Sequence, residues 1–269
     1  MTIPFWKMHG AGNDFILVDD RAETFPATDA AWLRTIGTRK TGVGCDGIIL
    51  IQPSDTANFR MRFFNPNGRE AEMCGNGARC VARLAYEIGA APSPMTIQTQ
   101  AGVLRAEMEG DQVRLWMTDP RDWLMDQTLT LNGETVTYGF VNTGVPHAVV
   151  EVDDLDALDV QKRGAALRHH PAFAPAGANA NFIQVTGPQA LRVRTYERGV
   201  EAETLACGTG MVASALVAAA AGRVVPPVQV IPTGGDVLSV DFVLNGTDAR
   251  ETTLLGPAVH VFKGELETA

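Results

Sequence analysis

Apolar residues in this chain come in short alternating or continuous stretches, each bounded by Gly, Pro, Asn or Asp, and that spacing predicts strands. In the first half the stretches fall at residues 3–7, 14–18, 47–51, 59–64, 95–99, 103–108 and 113–116; in the second half at 135–141, 147–152, 181–185, 191–196, 228–232, 237–243 and 260–262. Helical periodicity is rarer. It covers 29–39 after a Thr-Asp capping signal, 75–88 up to Gly89, 158–167, and 209–221 up to Gly222. An Asp or Thr before a helix satisfies its first amides, and a glycine past the last turn adopts the left-handed cap. The pattern predicts an α+β fold, rich in strands, with one long helix in each half.

The two halves look related. Cys74-Gly75-Asn76-Gly77 opens one long helix and Cys207-Gly208-Thr209-Gly210 opens the other. At the same offset Ala82 meets Ala215, Ala85 meets Ala218 and Gly89 meets Gly222. Upstream, with a slip of one residue, Met61-Arg62-Phe63-Phe64 meets Val193-Arg194-Thr195-Tyr196. A repeat of this kind predicts two similar β-rich domains, each with a central helix, related by a pseudo-twofold axis. Proline and charges interrupt the strands at Thr118-Asp119-Pro120-Arg121-Asp122. The expected domains are therefore 1–119 and 120–257, with a C-terminal strand over 258–269 returning to the first.

Composition narrows the function classes. Of 269 residues, 45% are hydrophobic and 20% charged, as in an ordinary globular protein. A formal net charge of −9 argues against nonspecific nucleic-acid binding. No apolar run reaches the about 18 residues of a membrane span. The chain does not open on a basic segment followed by a long apolar one, so the expected location is cytoplasmic. The four cysteines, at 45, 74, 80 and 207, form no C-x-x-C pair and have no histidine at ligand spacing. Neither a disulfide framework nor a zinc site is expected from them. They are packing residues or reactive thiols.

Position separates the two. Free cysteine is usually a small buried packing residue, and Cys45 and Cys80 read that way. Cys74 and Cys207 stand at helix starts, where unsatisfied amides and the helix dipole stabilise a thiolate. The adjoining glycines uncover those amides, which can also hold a carboxylate. Two such places from repeated halves suit a symmetric reaction, in which a thiolate takes a proton from one face of a carbon while a thiol delivers one to the other. Amides aimed at a neighbouring carboxylate would stabilise the carbanion. Polar turns add candidate ligand groups. They are His9-Gly10-Ala11-Gly12-Asn13-Asp14, Phe64-Asn65-Pro66-Asn67-Gly68, Asn142-Thr143-Gly144-Val145-Pro146-His147 and Glu197-Arg198-Gly199.

Lys7-Met8-His9-Gly10-Ala11-Gly12-Asn13-Asp14-Phe15, Gly42-Val43-Gly44-Cys45-Asp46, Glu72-Met73-Cys74-Gly75-Asn76-Gly77-Ala78-Arg79-Cys80, Asn179-Ala180-Asn181-Phe182, and Glu197-Arg198-Gly199 with Glu203-Thr204-Leu205-Ala206-Cys207-Gly208-Thr209-Gly210 occur in that order. Together they resemble the diaminopimelate epimerase family along nearly the whole chain. The resemblance implies interconversion of LL- and meso-diaminopimelate without pyridoxal phosphate or metal, in lysine and cell-wall precursor synthesis, by a homodimer. It implies that Cys74 and Cys207 are the acid–base pair. Asn13, Asn65, Asn179, Glu197 and Arg198 match substrate-binding positions, and Gly75-Asn76 and Gly208-Thr209 match backbone donors to the reacting carboxylate. His147 and Glu197 match residues that assist catalysis. Gly47 and Val145 stand where some members carry Gln and Asn, and Phe262 where some carry a Tyr at the dimer contact.

Three other readings compete. A proline racemase-like or hydroxyproline-type enzyme would also pair cysteines, but the Asn13 and Asn65 motifs and the Glu197-Arg198 pair favour diaminopimelate. A thiol redox protein would use a switching Cys74–Cys207 disulfide; the missing C-x-x-C weighs against it. A non-catalytic amino-acid-binding protein would bind its ligand without exchanging protons with solvent.

Overall fold

The computed structural model describes residues 2–71 and 73–268; Glu72, from the Cys74 motif, lies outside the described residues. The chain forms two compact units, 1–115 with 256–269, and 116–255.

The first unit contains β1 (Thr2–Gly10), β2 (Asn13–Asp19), α1 (Ala30–Gly37), β3 (Gly47–Gln52), β4 (Phe59–Phe64), β5 (Glu70–Ala71), α2 (Gly75–Glu87), β6 (Met95–Thr99), β7 (Gly102–Glu109) and β8 (Gln112–Trp116). The second contains β9 (Arg121–Leu131), β10 (Glu134–Asn142), β11 (Pro146–Glu151), α3 (Val160–Arg168), β12 (Asn179–Gly187), β13 (Ala190–Glu197), β14 (Ala202–Thr204), α4 (Gly208–Ala220), β15 (Val228–Pro232), β16 (Leu238–Asn245) and β17 (Asp248–Pro257). The chain then returns to the first unit as β18 (Val259–Glu267).

The strand pairings show the repeat directly. In the first unit β18, β1 and β2 are successive antiparallel neighbours, β3 joins β2 in parallel, β4 is antiparallel to β3, and β6 joins β4 in parallel before β7 and β8. In the second, β9, β10 and β11 are antiparallel, β12 joins β11 in parallel, β13 is antiparallel to β12, and β15 joins β13 in parallel before β16 and β17. Parallel neighbours need a crossover. The helices supply it: α1 and α2 in the first unit, α3 and α4 in the second. Even an ion pair recurs. Arg62 grips Glu70 at 2.9 and 2.7 Å, and Arg194 grips Glu203 at 2.8 and 2.7 Å, each closing a short hairpin before the Cys-Gly turn.

Strand β3, Gly-Ile-Ile-Leu-Ile-Gln, is buried at every position. Successive side chains on a strand point to opposite faces, so a strand buried on both faces reads as a continuous apolar run. Ile48 and Leu50 join the cluster with Leu33 and Ile36 of α1. Ile49 points the other way, to α2, where a Cβ on Gly77 would lie 2.7 Å from its Cδ1. Glycine thus lets α2 lie close against the sheet. In the second unit Val160 and Leu167 of α3 pack with Phe182 and Tyr138.

Four strands were not legible as such: β5, β9, β14 and β17. Strand β9 starts at Arg121, inside the interruption that the sequence places at 118–122, and runs on to Leu131. Its Arg-Asp-Trp-Leu-Met-Asp-Gln-Thr-Leu-Thr-Leu pattern is mostly exposed, so burial leaves little imprint on it. The short strands β5 and β14 are held by their neighbours β4 and β13 rather than by apolar patterning. Strand β18 runs well beyond the 260–262 core of its pattern because its register with β1 extends to Glu267.

Candidate active site

In the first unit Cys74 is the N-cap of α2, with extended backbone angles of φ −139° and ψ 118°. The first helical bond runs from Ala78 N–H to the Cys74 carbonyl at 2.8 Å. The amides of Gly75, Asn76 and Gly77 therefore precede the helical ladder. A Cβ built on Gly75 would meet nothing within 4 Å, so open space lies beside this turn. The Cys74 thiol donates to Asn13 Oδ1 at 3.6 Å, and Asn76 Nδ2 donates to the same oxygen at 3.5 Å. Asn13 Nδ2 in turn donates to Asp46 Oδ2 at 2.5 Å. Behind Asn13, Lys7, Asp14, Arg39 and Asp46 form one ion-pair cluster. Burial works against the Asp14 carboxylate, but Arg39 and Lys7 outweigh it and hold its pKa low. Asn65 stands in the β4–β5 turn, where its N–H donates to Arg69 O at 2.9 Å.

The second unit repeats the theme with different partners. Cys207 is the N-cap of α4, at φ −110° and ψ 106°. Its sulfur lies 3.6 Å from the Thr209 hydroxyl, and the Thr143 hydroxyl donates to the Thr209 carbonyl at 3.1 Å. Asn179, at the start of β12, donates to Pro146 O at 3.1 Å and accepts the Arg198 N–H at 2.7 Å. It thereby ties the β11 start to the Glu197-Arg198 turn. Burial pushes the Glu197 carboxyl above its ordinary pKa, and the Thr204 hydroxyl opposes that shift.

His147 is wholly buried on β11. Its Nδ1 lies 3.1 Å from Asn181 Nδ2, which also donates to the Ala148 carbonyl at 3.1 Å. A carbonyl only accepts, so the NH2 end of Asn181 is fixed and His147 Nδ1 must be the acceptor. The neutral ring then carries its proton on Nε2, which has no hydrogen-bond partner among the described residues. Burial lowers the His147 pKa to about 3, and the nearby Arg198 charge adds to this against the Asn181 bond.

That shift has a stability consequence with a definite sign. The neutral ring is favoured in the folded protein, so the contribution is complete above the unfolded pKa of about 6.5 and is lost as pH falls towards about 3. The slope approaches 1.4 kcal/mol per pH unit, roughly. Urea unfolding of wild type should lose about 2 kcal/mol more than His147→Gln between pH about 6.5 and about 5. Equal losses would show that His147 titrates normally in the fold.

The structure joins Cys74, Asn13, Gly75 and Asn76 in one cluster, and Cys207, Gly208 and Thr209 in another. Asn179 and Arg198 are bonded to each other beside Glu197, and His147 sits on the strand next to Asn179. Sequence reasoning did not single out Asp46, Arg79, Thr143 or Asn181. All four lie inside motifs quoted above. The available signal was a polar side chain at a position that must be buried: Asn181 is two residues beyond Asn179, on the same face of β12. Gly47 also has a local cause, because a Cβ there would come 2.2 Å from Phe63 Cε2. Cys45 and Cys80 are buried, and burial raises their thiols to about 11 and about 12.

Two repeated α+β units, each with a cysteine at the start of a 13-residue helix, define a fold shared with racemases, epimerases and other isomerases. It matches a PhzF-family phenazine biosynthesis protein from Bacillus anthracis with a TM-score of 0.76, at 18% identity over 100% of both chains. It matches a hydroxyproline epimerase from Agrobacterium vitis with a TM-score of 0.71, at 18% identity over 98% of this chain and 91% of that one.

The sequence match is more specific. The family model described as diaminopimelate epimerase covers residues 5–123 and 139–261. The diaminopimelate epimerase of Aquifex aeolicus is 44% identical over 97% of each chain. That of Chlorobaculum tepidum is 43% identical over 96% of this chain and 99% of its own. The chain belongs to the diaminopimelate epimerase family and is an enzyme of the isomerase class.

Proposed function

We propose that this enzyme interconverts LL- and meso-diaminopimelate, in lysine and cell-wall precursor synthesis, by a two-base mechanism that needs neither pyridoxal phosphate nor a metal. The observation that carries this reading is the recurrence of a cysteine N-cap on the long helix of each repeat. One cysteine, as thiolate, removes the α-proton and becomes a thiol. The other, as thiol, delivers a proton to the opposite face and becomes a thiolate. The product leaves with inverted configuration and no net change in charge, and the two sulfurs have exchanged roles. The mechanism requires Cys74 and Cys207 to meet at one substrate carbon.

The early amides of α2 and α4, from Gly75-Asn76 and Gly208-Thr209, are proposed to hold the α-carboxylate. There they would stabilise the charge that spreads onto it as the proton leaves. Asn13, Asn65, Asn179, Glu197 and Arg198 are proposed to bind the remaining polar groups. His147 is proposed to assist catalysis from its buried place on β11, where Nε2–H has no partner among the described residues. The exposed Val259, Val261 and Phe262 on β18 support self-association.

Incubation with LL-diaminopimelate in deuterated water tests the reading. Meso product should form with deuterium at the inverted carbon, in enzyme extensively dialysed against chelator and free of pyridoxal phosphate. Binding without exchange would reduce the protein to a ligand-binding module, and activity on proline or hydroxyproline alone would reassign the substrate.

A further inference from the structure

Asp46 belongs to a motif that the proposed reaction leaves without a role. Its carboxylate can only accept hydrogen bonds. It accepts the Asn13 side-chain NH2 at 2.5 Å and the Asp14 backbone N–H at 3.1 Å. An acceptor on that side leaves one orientation for the Asn13 amide. The NH2 faces Asp46, and Oδ1 faces Cys74 Sγ and Asn76 Nδ2. The far end of the chain is fixed by the opposite logic. Arg79, which can only donate, gives a hydrogen bond to Asn76 Oδ1 at 2.9 Å, so Asn76 must turn its NH2 towards Asn13. An anion at one end and a cation at the other thus align two amides in series, and both alignments converge on Asn13 Oδ1. Such chains polarise one another and strengthen each bond.

We propose that Asp46 is a positioning residue: it holds the Asn13 amide so that its carbonyl oxygen, and not its NH2, faces the Cys74 thiol. An acceptor there favours S–H over S⁻, against the pull of the helix start. Cys207 has a different neighbour, the Thr209 hydroxyl, which can donate as well as accept. Two otherwise equivalent thiols are thereby given different hydrogen-bonding neighbours, which biases which of them holds the shared proton in the resting enzyme. The catalytic meaning of this arrangement rests on the proposed role of Cys74; the positioning itself does not.

Among the described residues, the charged groups tied into this network are Lys7 on β1, Asp14 on β2, Arg39 and Asp46 between α1 and β3, and Arg79 on α2. Any test must separate their through-space charge from the amide's orientation. The readout is the pH dependence of Cys74 alkylation by iodoacetamide, resolved from the other thiols by peptide mass spectrometry. Asp46→Asn withdraws the charged acceptor that holds the Asn13 NH2 and leaves only the 3.5 Å bond from Asn76 to hold the amide, so the NH2 can turn to sulfur and the midpoint should fall by about one pH unit. Losing a nearby anion would lower the midpoint too, and Asn13→Leu decides between the causes. With the amide gone, Asp46→Asn should move the midpoint by no more than about a third of that shift. Arg39→Ala loosens the same loop but keeps the carboxylate, and should not lower the midpoint. Asp46→Ser, whose hydroxyl donates or accepts, frees the amide equally and serves if Asp46→Asn unfolds.

An unmoved midpoint in Asp46→Asn, or a full shift surviving in Asn13→Leu, overturns the positioning role. If the midpoint moves as stated while Cys74→Ala keeps its turnover, the positioning stands and the two-base reading fails instead.

Discussion

Cys74→Ala and Cys207→Ala each lower epimerase turnover by about a thousandfold or more, the scale of losing a positioned acid or base. The loss in kcat/KM is equal in both directions. Without Cys74, one direction lacks its base and the reverse lacks its acid, and a catalyst cannot shift the equilibrium constant between the isomers. Inversion and exchange should part company in these variants. The remaining thiolate can still take the α-proton from the isomer that presents it and return a deuteron to the same face. One isomer therefore exchanges with retention, and the other isomer exchanges in the opposite variant. Proton magnetic resonance of each isomer in deuterated water, beside chiral separation of the products, reads both quantities. The substitutions remove only a sulfur, so thermal melts should stay within about 1 kcal/mol of wild type. Near-normal turnover in either variant would rule out the two-base mechanism, and exchange of both isomers by both variants would rule out its stereochemical assignment.

The repeat that motivates this prediction was legible because local rules leave a mark on it. Cys-Gly-x-Gly before an Ala-rich helix, with glycine past its end, records a helix start, a close approach and a C-cap within one short window. Strand β3 was legible because burial on both faces demands a continuous apolar run. Strand β9 was not, since an exposed strand has no such demand, and its pairing with β10 is carried by backbone bonds that any sequence can make. The same distinction divides the site. Cys74 and Cys207 announce themselves through their helix starts. Asp46 and Asn181 act through partners 33 and 34 residues away in the chain, Asn13 and His147, and nothing local marks such pairs. The repeat itself is also imperfect in an informative way. Its skeleton is shared down to the Arg62–Glu70 and Arg194–Glu203 pairs, whereas the groups facing the two sulfurs differ, an amide oxygen in one unit and a hydroxyl in the other. Duplication explains the scaffold, and the divergence lies beside the two sulfurs.

Arg79→Leu should cost about 2–6 kcal/mol of stability, because it strands two acceptors at about 1–3 kcal/mol each. Arg79 is 0% exposed, rare for arginine, and its guanidinium reaches Asn76 Oδ1 at 2.9 Å and the Pro257 carbonyl at 3.3 Å. It therefore fastens α2 to the segment through which the chain re-enters the first unit before β18. Arg83, one turn on, donates to the Ala258 carbonyl at 2.7 Å and should keep that segment in place when Arg79 is lost. The variant should fold, but melt lower by about 5–15 °C, given a chain of this size. Arg79→Lys should recover only part of the loss, since an ammonium lacks the planar fork that spans both acceptors. Differential scanning calorimetry checks the ranking, wild type above Arg79→Lys above Arg79→Leu. The same substitution frees the Asn76 amide and removes a buried cation beside the helix start. The two effects oppose each other at Cys74, because a freed Asn76 NH2 can donate to sulfur while the lost cation destabilises a thiolate. The calorimetric loss is therefore the decisive measurement, and a melting temperature within about 2 °C of wild type would show that Arg79 is a replaceable filler of the helix–sheet contact.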